Sequence, residues 1–119
     1  RRLKIRRLFL GVPMSITKVD FELKRGTSEP LLFRPVDASG KLLSLSGIDS
    51  AVLNIRPLYG LPMRFDLAVT DDGLSVNLKP SDTKPLQWSV ADYEVKVSVR
   101  GVVKVIFEGR LKLAADLGV

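Results

Sequence analysis

The chain of 119 residues contains no histidine and no cysteine. Without these side chains it cannot form the His and Cys spacings of zinc sites, a thiolate nucleophile or a Ser-His-Asp triad. Only rarer chemistries remain for an enzyme, such as a Ser-Lys pair or two carboxylates, so we predict a protein that is not an enzyme. No cofactor and no metal site are expected, and the missing cysteine leaves the redox compartment open.

Long apolar runs are also missing, and aromatic residues make up only 7% of the chain. No run approaches the ~20 apolar residues that a membrane-spanning helix needs, so no membrane partner is expected. Apolar residues still account for 45% of the sequence, which is enough for one core built mainly from Leu, Val and Ile. The length predicts a single globular domain.

The excess of positive charge is concentrated at the amino end. Nineteen Lys and Arg against thirteen Asp and Glu give a net charge of +6, and five of the cations lie in the first seven residues, where no acid occurs. Fourteen cations against thirteen acids remain, so the rest of the chain is nearly neutral. The high isoelectric point is therefore a property of the amino end, not of a basic surface spread over the fold.

We interpret residues 1–14 as an extended arm that contacts protein, because basic and apolar residues alternate from position 3 to position 6, as in a strand that pairs with a sheet edge. A solvated chain end is one alternative. A nucleic-acid-binding arm is another, although only one aromatic ring is available there for stacking. The residues assigned to the protein contact are Arg1, Arg2, Leu3, Lys4, Ile5, Arg6, Arg7, Leu8, Phe9 and Leu10.

Polar and apolar residues alternate along much of the remaining chain, which is typical of strands with one buried face. Residues 18–24 alternate throughout, so Val19, Phe21 and Leu23 are predicted to face inward. Segments 63–69 and 74–78 alternate in the same way, and the Thr-Asp-Asp-Gly sequence at 70–73 predicts a tight turn between them.

The last third of the chain gives the clearest pattern, a long hairpin whose Arg-Gly turn lies at 100–101. Gly109 indicates a bulge or a close approach of another segment. The side chains predicted to face inward are Tyr93, Val95, Val97, Val99, Val103, Val105, Phe107, Leu111 and Leu113. About seven to eight short strands predict an all-β fold over residues 15–119, a single antiparallel β-sandwich of immunoglobulin-like type.

Four acidic residues are candidates for a catalytic or cation-binding site. Asp20 and Glu22 lie about 7 Å apart on one predicted strand face, a spacing that glycosidases use. Lysines at positions 18 and 24 on the same face favour the charged carboxylates, so we interpret this face as a solvated surface. Asp71 and Asp72 are interpreted as turn residues, because a calcium loop needs more oxygen ligands than this stretch offers.

Two aromatic residues are candidates for contact with a ligand or a partner. Trp88 is interpreted as a cover over the edge of the core, with a ligand platform as the alternative. Tyr59 lies between Pro57 and Pro62, which restrict the shape of its loop, and it is the candidate exposed contact residue. A carbohydrate-binding module is a further alternative, and it requires both rings to be exposed on one surface.

Several short motifs follow one another in a fixed order. They comprise Asp37 and Gly40, then Leu45, Ser46 and Gly47, then Val76 and Leu78, then Asp82 and Thr83, then Trp88 and Tyr93, and finally Gly109, Leu111 and Leu113. Over residues 19–113 this order and spacing resemble the immunoglobulin-like domain at the amino end of baseplate upper proteins and in related tail, fibre and head-associated proteins of tailed bacteriophages. Ser44 stands where that family usually has an acidic residue.

The resemblance implies a non-enzymatic structural protein of a tailed-phage virion, located in the virion and assembled with other virion proteins into an oligomer or a symmetric array. A tail or baseplate attachment component is the first expectation. A capsid decoration or cement protein of the phage head is the alternative. The alternative from another class is a nucleic-acid-binding accessory domain that uses the basic arm.

Overall fold

The computed structural model describes residues 16–36 and 39–115. Eight strands and one short helix follow one another along the chain. They are β1 (Thr17–Lys18), β2 (Phe21–Lys24), β3 (Glu29–Phe33), β4 (Ile48–Pro57), β5 (Met63–Thr70), β6 (Gly73–Leu78), α1 (Pro80–Thr83), β7 (Val90–Val99) and β8 (Val102–Ala114). The prediction of an all-β fold is confirmed, while the predicted arm over residues 1–14 lies outside the described residues.

Hydrogen bonds join the strands into one curled, mixed sheet in the order β1-β8-β7-β4-β5-β6-β3, with β2 also paired to β8. The curl arises at β5, because its first half pairs with β4 and its second half pairs with β6. β1 and β2 run parallel to β8, whereas all the other pairs are antiparallel. The prediction of an entirely antiparallel arrangement is therefore wrong at the amino-terminal strands.

The core lies inside the curl, between β3 and β6 on one side and β4, β7 and β8 on the other. Phe33 of β3 reaches across this space, with its ring centre 6.2 Å from that of Tyr93 and 5.4 Å from that of Phe107. The other fully buried side chains are aliphatic, among them Leu53 and Leu111. The interior is therefore built mainly from Leu, Val and Ile, as the composition predicts.

The predicted turns are confirmed. The turn at 70–73 joins β5 to β6, and Arg100 and Gly101 form the two-residue turn between β7 and β8 with φ angles of 53° and 79°. Positive φ at both central residues matches the right-handed twist of a hairpin, and the Arg100 N–H also donates to a carboxylate oxygen of Asp49. This hairpin is the longest pair of strands in the fold.

Three residues predicted to face inward, Val19, Val103 and Val105, lie outside the buried core. Val103 is 63% exposed because an extra residue, Ile106, interrupts the β7–β8 ladder between the pairs Val95–Phe107 and Lys96–Val105. One added residue reverses which side chains face the core. Ile106 is consequently buried, and the alternation before it is shifted by one.

Val19 is 44% exposed because the predicted strand 18–24 is interrupted between β1 and β2. Its N–H donates to the Glu108 carbonyl, and its own carbonyl lies against Gly109, where an added Cβ would be 2.1 Å from the oxygen. The predicted close approach at Gly109 is confirmed, while the bulge in this strand lies three residues earlier.

Candidate interaction surface

The most exposed apolar side chains among the described residues lie together in the connection between β4 and β5, residues 58–61, which we call the contact loop. Leu58 is 79% exposed, Tyr59 81% and Leu61 84%. Scattered exposed leucines are common on protein surfaces, but large contiguous apolar patches mark interaction sites. Three such side chains on one short loop therefore form a candidate interaction surface.

Two prolines and a tryptophan hold the contact loop. Pro57 is buried at the end of β4, and Pro62 follows the loop, so the backbone is restricted on both sides. Gly60 has a φ of 134°, and a Cβ at this position would lie 3.4 Å from Cδ1 of Trp88. The loop backbone therefore rests on the indole ring, while the side chains on either side of the glycine face solvent.

Residues 85–89, which we call the 85–89 wall, lie beside the contact loop and are held in place at both ends. The Leu86 N–H donates to the carbonyl of Thr83 at 3.1 Å, and the Leu113 N–H of β8 donates to the carbonyl of Ser89 at 2.8 Å. Between these points, Arg25 donates from Nη2 to the carbonyl of Trp88 at 3.0 Å. The wall is thus fixed to β8 and to the turn after β2, not only to its neighbours in sequence.

Thr83 links α1 to the same turn. Its side chain is buried, and its hydroxyl oxygen accepts a hydrogen bond from the Gly26 N–H at 2.8 Å. The one-turn helix begins at Pro80, where Asp82 accepts a 2.7 Å hydrogen bond from the Lys79 N–H. An acidic side chain three residues into the helix region that accepts from the preceding backbone N–H is one half of a capping box.

An open cleft of about 1170 Å³ is lined by the contact loop, by the 85–89 wall and by the adjoining ends of β4, β7 and β8. Met63, Leu86 and Trp88 contribute apolar surface to the cleft and pack against the core on their inner sides. Arg56, Asp92 and Arg110 stand side by side on β4, β7 and β8 and form a charged row at the rim. Arg110 Nε lies 3.8 Å from a carboxylate oxygen of Asp92.

An apolar projection, an apolar cleft and a rim of both charges are the components of a protein-binding surface. Among residues 16–36 and 39–115, no group of three or more acidic side chains is placed to hold a metal ion. Tyr93, which lies away from the cleft, has a shifted pKa. Burial, followed by the charges of Asp20 and Glu108, raises the pKa of this tyrosine from 10.0 to about 12.

The residues that the sequence predicts as contact sites have different positions in the structure. The basic and apolar residues of the predicted arm, positions 1–10, lie outside the described part of the chain. Tyr59 is exposed on the contact loop, and its role as a contact residue stays a prediction. Trp88 is half-buried against the core and also lines the cleft, so it covers the core edge as predicted and shares one surface with Tyr59.

The four acidic residues considered as chemical sites lie in structural hydrogen bonds, on an exposed strand face or in a turn. Asp20 accepts a 2.8 Å hydrogen bond from the Arg110 N–H and so helps to join the β1–β2 connection to β8. Glu22 is exposed on β2. Asp71 and Asp72 lie in the β5–β6 turn, where the Thr70 hydroxyl donates to the Gly73 carbonyl and accepts from the Asp72 N–H.

Leu58 and Leu61 belong to the surface but were missed in the sequence. Both follow from a signal that was available: apolar residues inside a loop bounded by prolines have no strand partner to bury them. The charged row was also missed, because it forms only when β4, β7 and β8 come into register.

No family model matches this chain, and no curated protein is significantly similar to it. No helix among the described residues is long and apolar enough to cross a membrane.

Proposed function

We propose that this protein is a non-catalytic structural component of a tailed-phage virion, which joins other virion proteins in the tail or baseplate. In this proposal the β-strand body is an immunoglobulin-like sandwich that acts as a rigid support. The ligands are neighbouring protein subunits, and the contact loop and the amino-terminal arm are the parts that bind them. No cofactor takes part.

The observation that carries the proposal is the contact loop. Leu58, Tyr59 and Leu61 expose apolar surface that water solvates poorly, on a loop held by two prolines and by Trp88. A rigid apolar projection loses little conformational freedom when it binds, which favours permanent assembly contacts. The mixed charges of the rim provide polar contacts around this apolar centre.

Strand pairing supports the immunoglobulin-like assignment. In that fold the second and fifth strands of the ABCDEFG series pair in one sheet, while C, F and G form the other. Here β3 pairs with β6, and β4, β7 and β8 are neighbours. These pairs correspond to B–E and C–F–G, with β5 as the strand that joins the two halves.

The proposal is tested by mass spectrometry of gradient-purified particles of a phage that encodes this chain. We expect peptides of the chain in a fixed ratio to a known virion protein, and retained after nuclease treatment and a high-salt wash. Particles that lack the chain would refute the proposal.

The same preparation separates the alternatives. After the particles are dissociated, recovery of the chain with isolated tails supports the tail or baseplate role, whereas recovery with empty heads identifies a decoration protein. The nucleic-acid alternative predicts salt-dependent retention on duplex DNA that is lost when residues 1–7 are deleted. Negligible retention of the intact chain at low salt would exclude that alternative.

A further inference from the structure

We infer that the cleft beside the contact loop binds the contact loop of a second copy of this chain. Two copies would then associate about a two-fold axis, each placing the exposed side chains of residues 58–61 in the open cleft of the other. The inference rests on the proposed assembly role of this surface and names the partner.

Self-complementarity is the first argument. A two-fold interface requires a projection and a matching hollow on the same face of one molecule. The contact loop forms one wall of the cleft, so the projection and the hollow are adjacent by construction. When the loop of one copy enters the cleft of the other, the reverse insertion occurs at the same interface.

The chemistry of the two parts also matches. The loop presents two leucines and a tyrosine, and the cleft presents Met63, Leu86 and half-buried Trp88. A flexible methionine adapts to a leucine side chain, and the indole ring offers a flat apolar face. A ligand rich in hydroxyl groups would leave the exposed leucines without a role, which favours protein over carbohydrate.

The charged row permits the approach of an identical surface. Arg56, Asp92 and Arg110 contain both signs of charge, so a two-fold rotation can oppose an arginine of one copy to the aspartate of the other. A row of a single sign would repel its own copy. Because the rim remains solvated, these charges orient the pair more than they strengthen it.

The area fits a weak, concentration-dependent contact. Three large apolar side chains at about four-fifths exposure present on the order of 400 Å², and the cleft lining that they cover is smaller and includes part of the contact loop itself. Reciprocal insertion therefore buries roughly 600 Å² on each copy, which is at the low end for specific interfaces.

The first test is analytical ultracentrifugation of the full chain from about 1 to about 500 µM, a range that covers weak, transient dimers. We expect the mass to rise with concentration from 13.2 kDa to twice that value. The variant Leu58→Asp/Leu61→Asp should weaken the dimer at least tenfold without altering the circular dichroism spectrum, because both side chains are already solvated. A chain that stays monomeric at the highest concentration overturns the inference.

A matched control uses the opposite end of the molecule. Val103 is also an exposed apolar residue, but it lies beside the β7–β8 turn, about 25 Å along the strands from the cleft. Val103→Asp should leave the dimer intact. If Val103→Asp abolishes the dimer, or if the Leu58→Asp/Leu61→Asp double variant dimerises normally, the interface lies elsewhere and the inference is wrong.

Cross-linking tests the geometry directly, since the chain contains no native cysteine. A tagged chain with Leu61→Cys is mixed with an untagged chain with Gln87→Cys, so that only contact between two copies can form the mixed disulfide. We expect this product in preference to the product of Leu61→Cys with Val103→Cys. Equal yields of both would refute insertion into the cleft.

The two proposals fail in different ways. A chain that is monomeric in solution but present in purified particles overturns the second-copy interface and leaves the virion role in place. A dimer with the expected cross-link that is absent from particles overturns the virion role and leaves the interface in place.

Discussion

Tyr93→Phe removes one hydroxyl group from the centre of the fold, and its effect on stability should depend on pH. This hydroxyl donates a hydrogen bond to the carbonyl of Val19 and so ties β7 to the connection between β1 and β2. The residue is almost completely buried. Burial, followed by the negative charges of Asp20 and Glu108, raises its pKa to about 12, because each opposes formation of the phenolate.

The magnitude follows from the two protonation states. At neutral pH the variant loses one hydrogen bond, which contributes about 1 kcal/mol. The folded protein holds the phenolic proton more tightly than the unfolded chain, whose tyrosine has its ordinary pKa near 10. The stability that comes from this tighter proton binding is complete below pH 10 and is lost as pH rises towards 12. A rise of the pKa from 10.0 to about 12 corresponds to about 3 kcal/mol in total, about half of it lost by pH 11.

Urea unfolding of the native chain and of Tyr93→Phe, at about pH 8 and about pH 11, measures both effects. We expect the native chain to be more stable by about 1 kcal/mol at the lower pH, and the two proteins to be nearly equal at the higher pH. Titration of lysines affects both proteins alike and cancels in the difference. An advantage of the native chain that is unchanged at pH 11 would refute the reasoning.

A spectroscopic titration provides an independent measurement. The chain has two tyrosines, so Tyr59→Phe leaves Tyr93 as the only source of tyrosinate absorbance. The absorbance should rise with a midpoint well above pH 10, provided that the fold persists. Of the two neighbouring carboxylates, Asp20 has the larger effect on the pKa of Tyr93. Asp20→Asn removes this negative charge and should move the midpoint downward.

Four further substitutions and one control have expected outcomes that urea unfolding checks. Gly109→Ala should cost about 3 kcal/mol or more, since its Cβ would lie 2.1 Å from a backbone oxygen, whereas Gly101→Ala meets no atom within 4 Å and should cost clearly less; equal costs would contradict the close approach. Thr83→Val leaves a backbone N–H without its acceptor and should cost about 1 to 3 kcal/mol, and a neutral result would show that water replaces the hydroxyl. Leu53→Ala should cost about 2 to 5 kcal/mol because it opens a cavity in the core. Leu61→Ala should change stability by less than about 0.5 kcal/mol, and a large loss would show that the contact loop supports the fold.

Local patterns predicted much of the fold because most strands have one buried and one solvated face. The hairpin of β7 and β8 is recognisable from the alternation of Tyr93, Val95 and Val97 and from the Arg-Gly turn. The turn at 70–73 is recognisable because it combines a threonine, two aspartates and a glycine between two alternating segments. In each case the signal and the structure that it specifies lie within a few residues of each other.

The errors arise where a contact from elsewhere in the chain changes the local pattern. Ile106 and Phe107 are both buried because a bulge places two successive residues towards the interior, and alternation alone does not show where the extra residue lies. Val19 leaves the predicted inward face because its backbone is held by Glu108 and Gly109 of β8. The parallel pairing of β1 and β2 with β8 likewise joins residues 90 positions apart, such as Thr17 and Phe107, so no local pattern shows it.

The candidate surface was only partly predictable for the same reason. Tyr59 was recognisable because two prolines enclose its loop, and the same signal identifies Leu58 and Leu61, but no local pattern shows the cleft beside them. The cleft exists because Arg25 holds the carbonyl of Trp88, a residue 63 positions away, and because the ring of Trp88 supports the backbone at Gly60. Each wall is therefore fixed by side chains from another part of the chain. A surface assembled in this way retains its shape whether or not a partner is bound, which makes the exposed leucines available for a preformed contact with little conformational cost.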